Sequence, residues 1–212
     1  NGDGDVNTAG FLAFGLYANS GGLMEARRPL TELPVGNTMT LEFDNGFIDN
    51  GSSVGFSLRT ALGVESRLDV QFTGGGTNYT VNDSSGVQNT GLAYTDEGVL
   101  ASFTLTGTDT YQLRLTSLLF GETVSVTGIL AGTPGIAIEE LRLFNNNAGG
   151  GSQYDAFFNS IIFPNIPPLD FSSIIASDNC STVTVEHVQD TFTNSCPQIL
   201  TRTYRVTDAS GN

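Results

Sequence analysis

Histidine occurs once, at His187, so neither a Ser-His-Asp relay nor a zinc site has the residues it needs in the long N-terminal stretch. His187 itself falls on an alternating run near the C-terminus and reads as structural or solvent-facing. Carboxylates are the remaining catalytic candidates: Glu25, Glu32, Glu42, Asp44, Asp49, Glu139 and Glu140. A glycoside hydrolase needs two of them flanking the scissile bond. Glu42 alternates outward on an expected strand, where a general acid would sit, but Phe47 stands where a third clustered carboxylate would follow Glu42 and Asp44. A polysaccharide hydrolase working through Glu42 is the lesser alternative. No catalytic residue is expected.

Binding chemistry is better supplied. Sugar sites combine aromatic surfaces for the apolar face of the ring with amides and carboxylates for its hydroxyls. Tyrosines fall within two such clusters, GGGTNYTVND and GLAYTDEG, which read as loops. Asn78, Tyr79, Asp83, Tyr94 and Asp96 are therefore the candidate carbohydrate contacts, and the absence of tryptophan argues against a flat crystalline polysaccharide as ligand. Calcium wants hard oxygen ligands at alternating positions. Asp3, Asp5 and Asn7 in GDGDVN offer that spacing without the closing acid, and Asp155, opposite NNNAGGG, is a second candidate for the same ion.

Charge narrows the partners. Eight basic residues, all arginine, face 22 acidic ones, for a net charge of −14. Such a chain repels phosphate backbones and anionic membranes, so a nucleic-acid partner is not expected. No apolar run reaches the eighteen or so residues of a membrane helix. Cys180 and Cys196 read as a disulfide rather than a metal site, which would want further ligands. Closing that loop contributes about 3 kcal/mol in the chain-entropy account and places the chain in an oxidising, extracellular compartment.

Period-two alternation supplies the elements that hold these residues. Met39, Leu41 and Phe43 alternate with polar neighbours, as do Val54, Phe56 and Leu58, then Leu68, Val70 and Phe72, then Val99, Ala101, Phe103 and Leu105. Turn clusters separate the runs: DNG at 44–46, DNGSS at 49–53, TGGG at 73–76 and NDSSG at 82–86. Residues 145–147 read as turn chemistry as well. One helical turn is expected over 23–28, and no long helix. The fold class is all-β: an antiparallel β-sandwich, or jelly roll, over residues 1–166, then PNIPP as a stiff linker and an incomplete β module over 167–212. Four Asn-x-Ser/Thr sequons, at Asn50, Asn78, Asn82 and Asn179, follow from composition and carry no role.

Two resemblances add to this. SDNC at 177–180, the later Cys196 and ILTRTYRVTDASGN at 199–212 resemble the hyalin-repeat immunoglobulin-type modules of Bacteroidetes surface proteins, with Ser210 where the family often has cysteine. Such modules continue with a final strand. That strand is expected either from the same chain or from a neighbouring subunit of an extracellular filament or layer, with the polar arm 1–10 and then Phe11, Ala13 and Gly15 as its donor. The long alternating sandwich, VGFSL at 54–58 and LRLFNNNAGGGSQYDAFFNSIIF at 141–163 resemble concanavalin- and LamG-type lectins. This second resemblance implies a last strand returning beside the first. Together they imply a secreted, non-catalytic module of the bacterial cell surface that binds an extracellular glycan and mediates adhesion, assisted by calcium.

Overall fold

A computed structural model describes residues 6, 12–17, 20–30, 33–163, 171, 174–177, 181–192 and 200–209. The chain divides into two compact units, Asn1–Pro164 and Asn165–Asn212. The PNIPP segment, Cys180 and Cys196 lie outside the described residues, as do Asp3, Asp5, Asn7, Phe11, Glu32 and Asn179.

Among the described residues, the first unit is a jelly-roll sandwich of twelve strands. They run β1 (Phe14–Leu16), β2 (Leu23–Pro29), β3 (Thr38–Asn45), β4 (Ser53–Arg59), β5 (Ser66–Thr73), β6 (Asn78–Asp83), β7 (Gly86–Ala93), β8 (Val99–Leu105), β9 (Thr110–Ser117), β10 (Thr123–Ile129), β11 (Glu140–Asn146) and β12 (Ala156–Ile162). Sheet A has the order β1-β12-β3-β8-β9-β10, and sheet B the order β2-β11-β4-β5-β6-β7. β4 to β7 form one meander and β8 to β10 another. The last two strands then insert between earlier ones, β11 between β2 and β4, and β12 between β1 and β3. The last strand does pair beside the first, with Phe158 opposite Phe14.

Alternation puts one face of each sheet into a common core. Met39, Leu41 and Phe43 from sheet A and Val54, Phe56 and Leu58 from sheet B are all fully buried. Phe43 joins the layers: its ring meets Phe56 edge-on at 6.0 Å and Tyr79 at 5.7 Å, and stacks on Phe158 at 6.3 Å. Each such ring contributes about 1.5–3 kcal/mol by burial alone.

Three local expectations are corrected. Residues 23–28 are strand, because β2 finds seven paired positions on β11 and that ladder outweighs the helix preference of Leu-Met-Glu-Ala-Arg. DNG at 44–46 is no turn, since β3 runs on to Asn45, and both Asp44 and Asn45 are buried. Asn145 lies inside β11, where its amide donates to the carbonyls of Leu16 at 3.1 Å and Tyr154 at 2.9 Å and so ties the two sheets at one end. Of the segment expected to be donated to a neighbour, the described residues pack within their own unit: Phe14–Leu16 pairs with β12, and the buried Val6 accepts through its carbonyl from Asn159 at 2.6 Å.

In the second unit, β13 (Thr184–Phe192) and β14 (Leu200–Thr207) pair antiparallel. His187 is half-buried there, its ring 5.8 Å from that of Tyr204. Among the described residues no helix is long and apolar enough to cross a membrane.

Candidate functional site

The candidate sugar contacts sort by strand parity. β6 places Tyr79, Val81 and Asp83 inward and Asn78, Thr80 and Asn82 outward. Tyr79 is therefore fully buried, its hydroxyl donating to the Thr95 carbonyl at 3.0 Å, and is no sugar contact. Burial is the main cause that raises its hydroxyl well above the ordinary tyrosine range. Asp83 is buried as well, accepting from Tyr111 at 2.8 Å, from the Ser85 N–H at 2.8 Å and from Gln88 at 2.8 Å. Tyr94 is half-buried, packed 4.4 Å from the Phe72 ring, with its hydroxyl donated to the carbonyls of Asn45 and Gly46. Burial, then the charges of Asp96 and Asp44, push that hydroxyl up to about 12. Asp96 is exposed in the β7–β8 loop. The two tyrosines meet each other inside the sandwich, their centroids 6.5 Å apart, rather than converging on a loop surface.

Other candidates are equally dispersed. Glu42 lies on the outer face of sheet A between Leu100 and Asn159 and accepts from Ser160 at 2.8 Å. Asp155 follows the short 3-10 turn Ser152–Tyr154, and partial burial raises its carboxyl above the usual range. Among the described residues, no three His, Cys, Asp or Glu side chains gather as a metal group.

A denser constellation lies on the outer face of sheet B. Register puts Arg27, Arg142, Ser57, Asp69 and Asn82 side by side on β2, β11, β4, β5 and β6. The adjoining row reads Glu25, Phe144, Gly55, Gln71, Thr80 and Asn89. Arg142 stacks its guanidinium 4.8 Å from the Phe144 ring centroid, and Phe144 is itself buried beneath its neighbours. Glu25 binds Arg142 and also Arg27, the latter at 2.8 Å. Burial works to raise the Glu25 carboxyl, but the hydrogen bond from Arg27 and the charges of Arg142 and Arg27 outweigh it and hold it below the usual range. Further along, Asn82 donates to Asp69 at 3.2 Å, Ser66 donates to Asp69 at 2.7 Å, and Gln71 donates to Thr73 at 3.1 Å.

The centre of this face is under-satisfied. Among the described residues, the fully buried Ser57 hydroxyl has no hydrogen-bond partner, and neither do Nε of Arg59, Nε of Arg142 or Oε1 of Glu140. Buried polar atoms are nearly always paired, so these groups set the centre of this face apart from the rest of sheet B. Of the sequence candidates, Asn78 stands on this face, and so do Glu25 and Glu140, which were candidates as catalytic carboxylates. Arg27, Arg59, Arg142, Ser57, Asp69 and Gln71 were not foreseen. The alternating signal NYTVND could have shown which side of β6 faces out.

No protein-family profile matches the sequence, and no curated protein aligns with it. Among solved structures, the galectin LEC-6 of Caenorhabditis elegans is similar at 12% identity with a TM-score of 0.41, over 63% of this chain and 89% of that one. A tetrameric galectin from the ball sponge Cinachyrella sp. is similar at 13% identity and 0.45, over 66% and 99%. The CBM2 module of the evolved Dit of Lactobacillus casei BL23 phage J-1 is similar at 18% identity and 0.41, over 64% and 67%.

Proposed function

We propose that the first unit is a carbohydrate-binding module whose ligand lies across the outer face of sheet B. One observation carries the reading: a row of planar hydrogen-bonding groups, Arg142, Asp69 and Asn82, surrounds a buried Ser57 hydroxyl that has no partner. Sugar hydroxyls donate and accept at once, which suits a carboxylate beside an amide. Guanidinium forks and amides hold such groups in fixed directions. Strands position them more rigidly than loops do. The Phe144 ring supports Arg142 from beneath, so the recognition surface is polar, with the aromatic ring as its floor.

The chain acts, in this reading, outside the cell as a non-catalytic adhesive module. The strongly acidic, lysine-free composition supports that setting. Calcium assistance is part of the same proposal. A glycan array probed with the intact chain, in calcium and again in chelator, tests both parts. Binding to a subset of glycans that falls tenfold or more in Asn82→Ala and Asp69→Ala is the expected result. Silence across a broad array in both buffers would sink the reading, and equal binding in both buffers would remove calcium from it.

A further inference from the structure

We infer that the β2–β4–β11 end of this face takes an anionic sugar substituent, a uronate carboxylate or a sulfate ester; the inference rests on the glycan reading above. Arg27, Arg59 and Arg142 come from three neighbouring strands of sheet B, so three of the chain's eight basic residues meet in one place. Two carboxylates, Glu25 and Glu140, stand among them. Three cations against two anions leave a local excess of one positive charge, inside a protein whose net charge is −14.

Pairing within the cluster is uneven, and that points to the missing partner. Glu25 serves both Arg27 and Arg142. Among the described residues, Arg59 pairs with Glu140 alone, at 3.9 Å and beyond hydrogen-bond reach, and its Nε has no partner. A neutral sugar leaves such an excess of guanidinium donors uncompensated, whereas a carboxylate or sulfate accepts from a guanidinium fork in the geometry it prefers.

The end of the cluster is walled. The connection from β4 to β5 turns back over it at Gly63, where φ is +63°. A Cβ at that position would stand 2.6 Å from Glu140 Oε1, 3.1 Å from Arg59 Nη1 and 3.3 Å from Arg27 Nη1. Glycine therefore lets backbone close directly onto Arg59 and Glu140, whose side chains are largely buried, and that burial strengthens an ion contact made with Arg59. The negative charge elsewhere does not forbid an anion. At physiological ionic strength the Debye length is about 8 Å, so remote carboxylates are screened while contacting arginines are not.

Titration calorimetry on the intact chain tests this with matched pairs: an oligogalacturonate against its methyl ester, and a sulfated galactan oligosaccharide against its unsulfated form. The anionic member of one pair should bind at least tenfold tighter than its neutral counterpart, and the responding pair identifies the anion. Arg59→Lys, which keeps the charge but removes the fork, should narrow that difference severalfold, as should Arg27→Ala at a largely exposed position. Equal affinity within both pairs, with all binding lost in Asn82→Ala, overturns the anion while the binding face stands. An anion preference unchanged in both arginine variants also overturns it. No binding by any of the four oligosaccharides removes the inference together with the reading beneath it.

Discussion

The Tyr111 hydroxyl donates to Asp83 Oδ2 across 2.8 Å, in a space that exists because residue 128 is glycine. Tyr111 belongs to sheet A and Asp83 to sheet B, so the bond ties the two layers through a buried carboxylate. Gly128 stands opposite Tyr111 on β10, and a Cβ there would run into Asp83 Oδ2 and lie 2.8 Å from the tyrosine oxygen. Tyr111→Phe should cost about 1–3 kcal/mol, the usual loss when a buried charged acceptor is deprived of one donor. Gly128→Ala should cost at least as much, because backbone and carboxylate must both move. Denaturant midpoints read both, and a midpoint unchanged in Tyr111→Phe would mean the tie carries no stability.

A second clamp holds the segment between β10 and β11. Arg67 is fully buried and donates to the Ala131 carbonyl, to the Thr133 carbonyl at 2.7 Å and to Asp109. Asp109 in turn accepts from the Gly135 N–H at 2.9 Å. Arg67→Met removes every one of these donors and keeps the volume. Breaking a buried pair costs about 3–5 kcal/mol, and the partial exposure of Asp109 puts this case near the low end. Limited proteolysis should then cut within residues 131–137 before anywhere else in the sandwich. Cleavage that starts elsewhere at the wild-type rate would contradict the clamp.

Alkaline pH should weaken the fold within a defined window. Burial, with the nearby charges of Asp96 and Asp44, pushes the Tyr94 hydroxyl up to about 12, while an unfolded tyrosine titrates near 10. Burial raises Tyr79 and Tyr111 as well. A raised acid favours the protonated form in the fold, so the stabilisation is whole below pH 10. It declines as pH rises from 10 through about 12, where the unfolded chain releases protons the folded one keeps. Denaturant melts across that range should show the decline, and Tyr94→Phe should make it shallower. A flat profile would show that these hydroxyls are not sequestered.

Much of the sandwich was legible because burial on one face imposes period two. Met39, Leu41 and Phe43, or Val54, Phe56 and Leu58, could be placed in a core without knowing their partners. β2 was not legible, since Leu-Met-Glu-Ala-Arg carries helix preference and only the pairing with β11 makes it a strand. The polar cluster on the outer face of sheet B was hidden for a further reason. Arg27, Ser57, Asp69, Asn82 and Arg142 are scattered along the chain and become neighbours only through cross-strand register, which no local pattern encodes. Tyr79 is a different case: alternation in NYTVND marks it as inward, and reading the segment as a loop discarded that signal.

Tyr79 and Asn82 therefore give a crossed prediction. They lie three residues apart on β6, on opposite faces, one in the core and one beside Asp69. Tyr79→Phe removes only the hydroxyl that Thr95 accepts at 3.0 Å, so stability should fall by about 1 kcal/mol while glycan affinity stays unchanged. Asn82→Ala removes a half-buried amide that donates to Asp69, so stability should change by no more than about 1 kcal/mol while affinity falls tenfold or more. Thermal melts and calorimetry on the two proteins read both quantities side by side. The opposite pattern, with affinity lost in Tyr79→Phe and kept in Asn82→Ala, would move the ligand to the sandwich end beside Thr95 and Tyr94 and remove the outer face of sheet B as its site.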